Sequence, residues 1–344
     1  MAEKKLGFFG KIAQFFKKIP LRFKKFGQSV KDLPRTFKEG FPTKKYFKYN
    51  WQIYLLFLPT LIWVIMFVFV PFVTNVIMSF QDYNLDAGIF GSTFVGIDNY
   101  TKFFKTSGEF WKLLSNTLLL NVLVLVIGFP ASIILAICIY ESKSGFIKGL
   151  TQTATFLPFF ISAVVVCNLA IEFLKADTGL ITNILETITG KDYESSLLDD
   201  PKKFRMIYAI MELWQTMGYN SLIYLAALSA IDTSLYEASS IDGAGKFKQI
   251  WHVTLPGIAP TIIITLIMRV GRLLSMGYEK VLLLQTLNND EVSEIISTYV
   301  YNFGLASRDY GYAATIGLFD AVVAIVLVSV VNKIAKKVSD TSLW

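Results

Sequence analysis

Eight side chains able to bind or ionise interrupt stretches that are otherwise largely aliphatic: Glu212, Trp214, Gln215, Tyr219, Asn220, Arg269, Arg272 and Asp320. A charge in such a stretch is costly in lipid and normally faces a bundle interior or a watery cavity. Acids, amides and guanidinium groups beside aromatic rings suit a polyhydroxylated ligand, which offers hydroxyls to the former and C–H faces to the latter. Two arrangements are open. Either these residues line an outward-opening path, or they pair with one another and hold helices together. Arg269 and Asp320 fall at one depth on consecutive antiparallel spans and are the expected pair, with Arg272 the competing partner for Asp320. Catalysis is poorly supplied. A phosphate-cradling loop needs G-x-x-x-x-G-K-[ST], and the nearest approach, Gly245-Lys246, is followed by Phe247 and preceded by Ser240 where the first glycine should stand. His252 is the sole histidine, and Cys138 and Cys167 stand at no ligand spacing to it.

The elements carrying these residues must lie in a membrane. The chain has 344 residues, 53% hydrophobic and 17% charged, against about a quarter charged in soluble domains. No charged residue occurs between Lys48 and Asp82, or between Lys112 and Glu141. A bilayer core takes roughly 20 apolar residues per helix, with every backbone polar group satisfied inside the helix. Six spans are predicted: Ile53–Met78, Leu113–Tyr140, Gly149–Leu174, Met206–Ala230, Ile258–Gly277 and Gly311–Asn332. The expected architecture is an all-α integral membrane protein with six transmembrane helices.

Lysine and arginine set its orientation. Residues 1–50 hold 14 Lys and Arg against Glu3, Asp32 and Glu39, while the whole chain is only +7, so the remainder is net acidic. With the N-terminus inside, the inner segments hold Lys143 and Lys148, Lys246 and Lys248, then Lys333, Lys336 and Lys337. The outer loops carry acids such as Asp98, Asp199 and Asp290. Both termini are then cytoplasmic. Residues 1–50 form a basic segment with Phe8, Ile12, Phe15, Phe16 and Ile19 at helical spacing, suiting either a helix in an anionic headgroup layer or a topology-fixing tail. The membrane domain covers 51–334, and 335–344 form a cytoplasmic tail.

Between spans four and five lies a structured inner loop, residues 235–256. Glu237 to Asp242 reads as a short helix with small residues on one side. Gly243 and Gly245 let the chain turn, and Lys246 to Val253 form a second amphipathic stretch that Pro256 is expected to end. A plain connector would need only a few residues.

Glu237, Ala238, Gly243, Leu255 and Pro256 stand at the spacing of the "EAA" loop of ABC importer permeases, which this segment resembles. Ser239 replaces the second alanine and Val253 the isoleucine. The resemblance implies a type I importer permease whose loop is a coupling helix seated in a groove of an ATPase. Its docking residues here would be Glu237, Ala238, Ser239, Asp242, Gly243, Gly245, Leu255 and Pro256.

Weaker matches run from about residue 50 onward. Leu55-Leu56-Phe57-Leu58-Pro59, Val95-Gly96-Ile97-Asp98-Asn99-Tyr100 and Phe156-Leu157-Pro158 resemble sugar-importer permeases. Gly277-Tyr278-Glu279-Lys280-Val281, Ile296-Ser297-Thr298-Tyr299-Val300-Tyr301 and Thr341-Ser342-Leu343-Trp344 are similar to the polysaccharide or aldouronate branch. That branch implies import of oligosaccharides or polysaccharide fragments across a bacterial cell membrane. It also implies a second homologous permease, a cytoplasmic ATPase dimer and an extracellular lipid-anchored solute-binding protein, with no nucleic-acid partner. No cofactor would be bound by this chain, ATP and Mg residing on the ATPase. The rival is an ion-coupled secondary transporter using the buried carboxylates, but no internal repeat of the kind such proteins show is found.

Overall fold

The computed structural model describes residues 51–105, 109–274 and 277–338. The basic segment 1–50 and the terminal Thr341-Ser342-Leu343-Trp344 lie outside them. The chain forms two units, divided after Pro71. Helix α1 (Trp51–Met78) contains Pro59 and a π turn at Ile65–Phe69. None of its residues up to Phe69 is buried. A helix apolar all round needs lipid or another protein against it.

The second unit is a helical bundle. Its helices are α2 (Asp98–Lys105), α3 (Glu109–Glu141), α4 (Gly145–Phe156), α5 (Ala163–Leu174), α6 (Leu180–Thr189) and α7 (Pro201–Ser229). They are followed by α8 (Thr233–Ile241), α9 (Lys246–Val270), α10 (Tyr278–Leu284), α11 (Ile296–Tyr301) and α12 (Tyr310–Val338). The only sheet among the described residues is a two-residue ribbon, β1 (Gln81–Asp82) against β2 (Thr93–Phe94), in the register Gln81↔Phe94. By length and composition α1, α3, α9 and α12 can each cross a bilayer, and α4 with α5 makes a fifth, bent crossing.

α3 and α7 run side by side in the same direction. Arg205 Nη2 donates to Asn116 Oδ1 over 2.8 Å near their starts, and Phe129 meets Tyr224 edge-on, with centroids 6.1 Å apart, further along. Parallel neighbours need the chain to return between them, and α4 with α5 carries it back. α7 begins where Asp200 accepts from the Lys202 N–H over 3.0 Å and Pro201 supplies the preset first residue.

The bundle core has three parts. Leu120 and Val124 of α3 pack with Phe204, Tyr208 and Met211 of α7, Val166 of α5 and Val281 of α10. Phe129, Ile133 and Ile137 of α3 pack with Tyr224, Leu228 and Ile258. Phe103, Leu113, Ile296, Tyr299, Tyr312 and Ile316 close the end where α3 and α12 begin. At that end Asn99 Nδ2 donates to the carbonyls of Ser79 and Gln81 over 3.2 and 3.0 Å, and Tyr100 donates to Ser79 Oγ over 3.0 Å. The Asn99-Tyr100 pair thus pins the ribbon.

Three boundaries depart from the sequence expectation. The third span, predicted as one helix over Gly149–Leu174, is broken. A 3-10 turn, Leu157–Phe160, ends its first half, and α5 leaves at 98° to α4. The fifth helix stops at Val270 rather than Gly277, so Arg272 sits in the turn beyond it. Pro256 does not end a helix. A π turn at Ile250–Thr254, closed by the Leu255 N–H on the Ile250 carbonyl, widens the backbone ahead of the proline, and α9 continues through it.

Candidate functional site

Two features of the bundle carry chemistry, one at each end of α9. The first is α8 and the turn after it. Asp232 caps α8 by accepting from the Ser234 N–H over 2.9 Å, and those hydrogen bonds hold its carboxyl below the usual range. Gly243 ends the helix at φ +74, with the Ala244 N–H closing back on the Ser239 carbonyl over 2.9 Å. Only a residue tolerant of left-handed backbone fits there.

α8 is braced from beneath. Gln249, itself buried, donates to Ser239 Oγ and Ser240 Oγ over 3.1 and 2.9 Å. Tyr236 OH meets Thr254 Oγ1 at 3.1 Å, and Lys246 Nζ reaches Glu141 Oε2, at the end of α3, over 2.6 Å. Glu237, Ala238, Ile241, Asp242, Gly243 and Gly245 are left exposed, with Phe247 and Trp251 beside them. Ser239 stands where the resemblance expects alanine, and its hydroxyl is one of the braces. Leu255 turns inward onto the Phe129–Tyr224 cluster, away from the exposed face, while Pro256 stays exposed.

The second feature is a cavity of about 490 Å³ between α7, the far end of α9 and the bend after α4. It gathers five of the eight polar candidates: Glu212, Tyr219, Asn220, Arg269 and Arg272. Phe159 and Tyr219, both in its wall, stack face to face on each other, with centroids 3.8 Å apart and planes within 3°. Arg269 is half-buried, its guanidinium 5.9 Å from the centre of the Phe129 ring. Glu212 receives the Lys280 ammonium, both side chains 15% exposed. The pair ties α7 to α10 just after Gly277, whose φ of +93 sets the start of α10.

The other three candidates lie elsewhere. Trp214 points to the opposite side of α7, where it joins Phe173, Met206 and Ile210 around an apolar cavity of about 690 Å³. Gln215 is buried and donates to the Ile161 carbonyl over 2.8 Å. That carbonyl is left without a helical partner by the break between α4 and α5. At the same crossing Gly218 brings the two backbones together, since a Cβ there would lie 2.0 Å from the Thr155 carbonyl oxygen. Asp320 lies outside the cavity, its buried Oδ1 without a hydrogen-bond partner among the described residues. The expected Arg269–Asp320 pair is not formed: among the described residues no acid oxygen lies within 4.0 Å of Arg269.

Residue type alone missed Phe159, Thr216, Tyr224 and Thr265, which also line the cavity. Helical spacing carried a signal for Thr216, because positions 212, 216, 219, 220 and 223 make one stripe of α7 and position 214 falls off it. Lys280 was visible only as part of a resemblance, with no role attached.

Residues 128–340 match the model of the family described as binding-protein-dependent transport system inner membrane component. The chain belongs to that family. It is an inner-membrane permease, the spanning component of an ABC importer and not its ATPase. The permease is 38% identical over 292 residues to the polygalacturonan/rhamnogalacturonan transport system permease protein YteP of Bacillus subtilis, covering 85% of this chain and 90% of that one. It is 29% identical to the arabinooligosaccharides transport system permease protein AraP of Bacillus subtilis, covering 83% and 88%. Among solved structures it superposes on a chain of a bacterial alginate ABC transporter, in complex with an alginate pentasaccharide-bound periplasmic protein. There the TM-score is 0.79 and the identity 35%, with coverage of 88% of this chain and 100% of that one.

Proposed function

We propose that this permease imports oligosaccharides or polysaccharide fragments, forming half of the translocation path beside a second homologous permease. A cytoplasmic ATPase dimer, with its ATP and Mg, docks on α8. An extracellular, lipid-anchored solute-binding protein delivers the sugar. The observation that carries the reading is the cavity at the far end of α9 from α8. Its stacked Phe159–Tyr219 pair, Thr216, Asn220 and Arg269 offer the flat faces and polar groups a sugar ring needs. The polysaccharide and oligosaccharide names of the relatives support the same class.

Six crossings with both termini cytoplasmic suit the chain if α7 is counted as a span. Its 29 residues are about 43 Å long, and its parallel course beside α3 requires both to cross in the same sense. Lys143, Lys148, Lys246, Lys248 and the lysines of late α12 then fall on the inner side. The test is uptake of labelled oligosaccharide by the importer reconstituted in proteoliposomes, with binding protein inside or outside the vesicles as the orientation control. Ala238→Trp, which adds bulk to the exposed face of α8, is expected to abolish sugar-stimulated ATP hydrolysis while the permease still inserts. Hydrolysis and uptake at wild-type rates in that variant would remove the docking role.

A further inference from the structure

We infer that a small polar pocket beside the cavity, walled by Asn121, Tyr208, Glu212 and Lys280, is a second sugar subsite. It takes two adjacent hydroxyls of a neighbouring ring in the same chain, and it rests on the carbohydrate reading above. The pocket holds about 170 Å³ between α3, α7 and the start of α10, against roughly 30 Å³ for one water in the liquid. Val124 and Glu212 line both it and the larger cavity, so the two spaces adjoin.

One side chain singles this pocket out. Asn121 is 4% exposed, and its buried Nδ2 has no hydrogen-bond partner among the described residues. An amide donor left so inside a bundle costs stability until something completes it. The remaining walls suit a diol. Glu212 Oε2 receives the Lys280 ammonium, and the pair has a second carboxylate oxygen and two further ammonium hydrogens to offer. A sugar hydroxyl both donates and accepts, so two adjacent hydroxyls match a carboxylate and an ammonium held side by side. The Tyr208 hydroxyl borders the same space because residue 277 is glycine: a Cβ there would lie 2.8 Å from it. Tyr208 and Glu212 stand one turn apart on α7, and so share the face that meets Asn121 of α3. Glu279 also lines the pocket, so its charged groups show no positive excess and it reads hydroxyls rather than an acid group. From Glu212 to Tyr219 is about 10 Å along α7 at 1.5 Å per residue. A ring on the Phe159–Tyr219 platform and a ring in the pocket therefore belong to one extended chain.

The experiment uses the complete importer in proteoliposomes, with labelled arabinotriose and labelled trigalacturonate as probes and the KM of uptake as readout. The variants alter only the permease, so recognition by the binding protein cancels in the ratio to wild type. Asn121→Leu removes the partnerless donor at similar volume. It should raise the thermal midpoint of the purified permease, because an unmet donor is gone. It should nonetheless raise the KM for an imported probe about threefold to tenfold, the scale of one hydrogen bond. The double variant Glu212→Met, Lys280→Met replaces the buried pair together and keeps the fold, yet should raise the KM more than about tenfold. An unchanged KM in either variant would overturn the inference. So would an Asn121→Leu midpoint that fails to rise, since the amide would then be satisfied within the fold. Each of these results, with a probe still imported, leaves the carbohydrate reading standing. Import of neither probe by the wild type would remove both.

Discussion

Glu212 and Lys280 give the sharpest test of how the bundle is held. Each side chain is 15% exposed, and the pair joins α7 to α10. Removing one member of a buried pair strands the other charge and costs about 3–5 kcal/mol, while replacing both by apolar groups of similar volume is close to neutral. Glu212→Met and Lys280→Met should therefore each lose about 3–5 kcal/mol, and the double variant should lie within about 1–2 kcal/mol of wild type. The coupling is then at least about 4 kcal/mol, far above the roughly 0.5 kcal/mol within which independent sites add. The assay is reversible unfolding of the purified permease in mixed micelles titrated with SDS, followed by tryptophan fluorescence. A double variant that loses the sum of the two singles would refute the reasoning and make the contact a solvated one.

Gly218→Ala would bring a methyl 2.0 Å from the Thr155 carbonyl oxygen, where ordinary contact begins at 3.4 Å. α4 must then retreat by more than an ångström, and a fall in thermal midpoint of several degrees is expected, with an unchanged midpoint arguing against the close crossing. Asp200, outside the membrane, is held below the usual carboxylate range first by the Lys203 side chain and then by the Lys202 N–H. A depressed carboxylate stabilises the fold above its unfolded value and loses that contribution as pH falls through the folded one. Midpoints measured from pH 6 to pH 3 should drop more steeply for wild type than for Asp200→Asn, and parallel curves would refute the link. In a background lacking Cys138 and Cys167, an impermeant thiol reagent added to intact cells should label Leu287→Cys and spare Phe247→Cys. Those positions are 95% and 82% exposed, so the reverse pattern would invert the topology.

Much of this was legible from charge alone. The uncharged run from Leu113 to Tyr140 lies wholly within α3, and the span over Gly311–Asn332 lies wholly within α12. The glycine that closes α8 was legible too, because a positive φ has few occupants. The break in the third span was hidden for a physical reason. Pro59, Pro130 and Pro260 all sit inside unbroken helices, so Pro158 by its type says little. What makes it a break is Gln215, which satisfies the freed Ile161 carbonyl, and Gly218, which lets the backbones touch. Both come from a helix more than fifty residues later. Residue type also grouped Trp214 and Gln215 with the cavity, when the turn of α7 sends one to an apolar face and the other to that carbonyl. The pairing of Glu212 was missed because Lys280 follows a glycine turn whose direction the chain reveals only once folded.

One feature joins the two ends of the permease mechanically. From Leu255 to Arg269, α9 is an unbroken rod of about 21 Å at 1.5 Å per residue. Its base is fixed to α8 through Gln249, Thr254 and their hydrogen bonds, and the π turn at Ile250–Thr254 lies between. A tilt of about 10° at that base swings the arginine end by about 3.7 Å, more than the length of a hydrogen bond. The loop proposed to dock the ATPase is therefore the short arm of a lever, and a small rotation imposed on it is enough to bring the Arg269 guanidinium into or out of reach of whatever occupies the cavity.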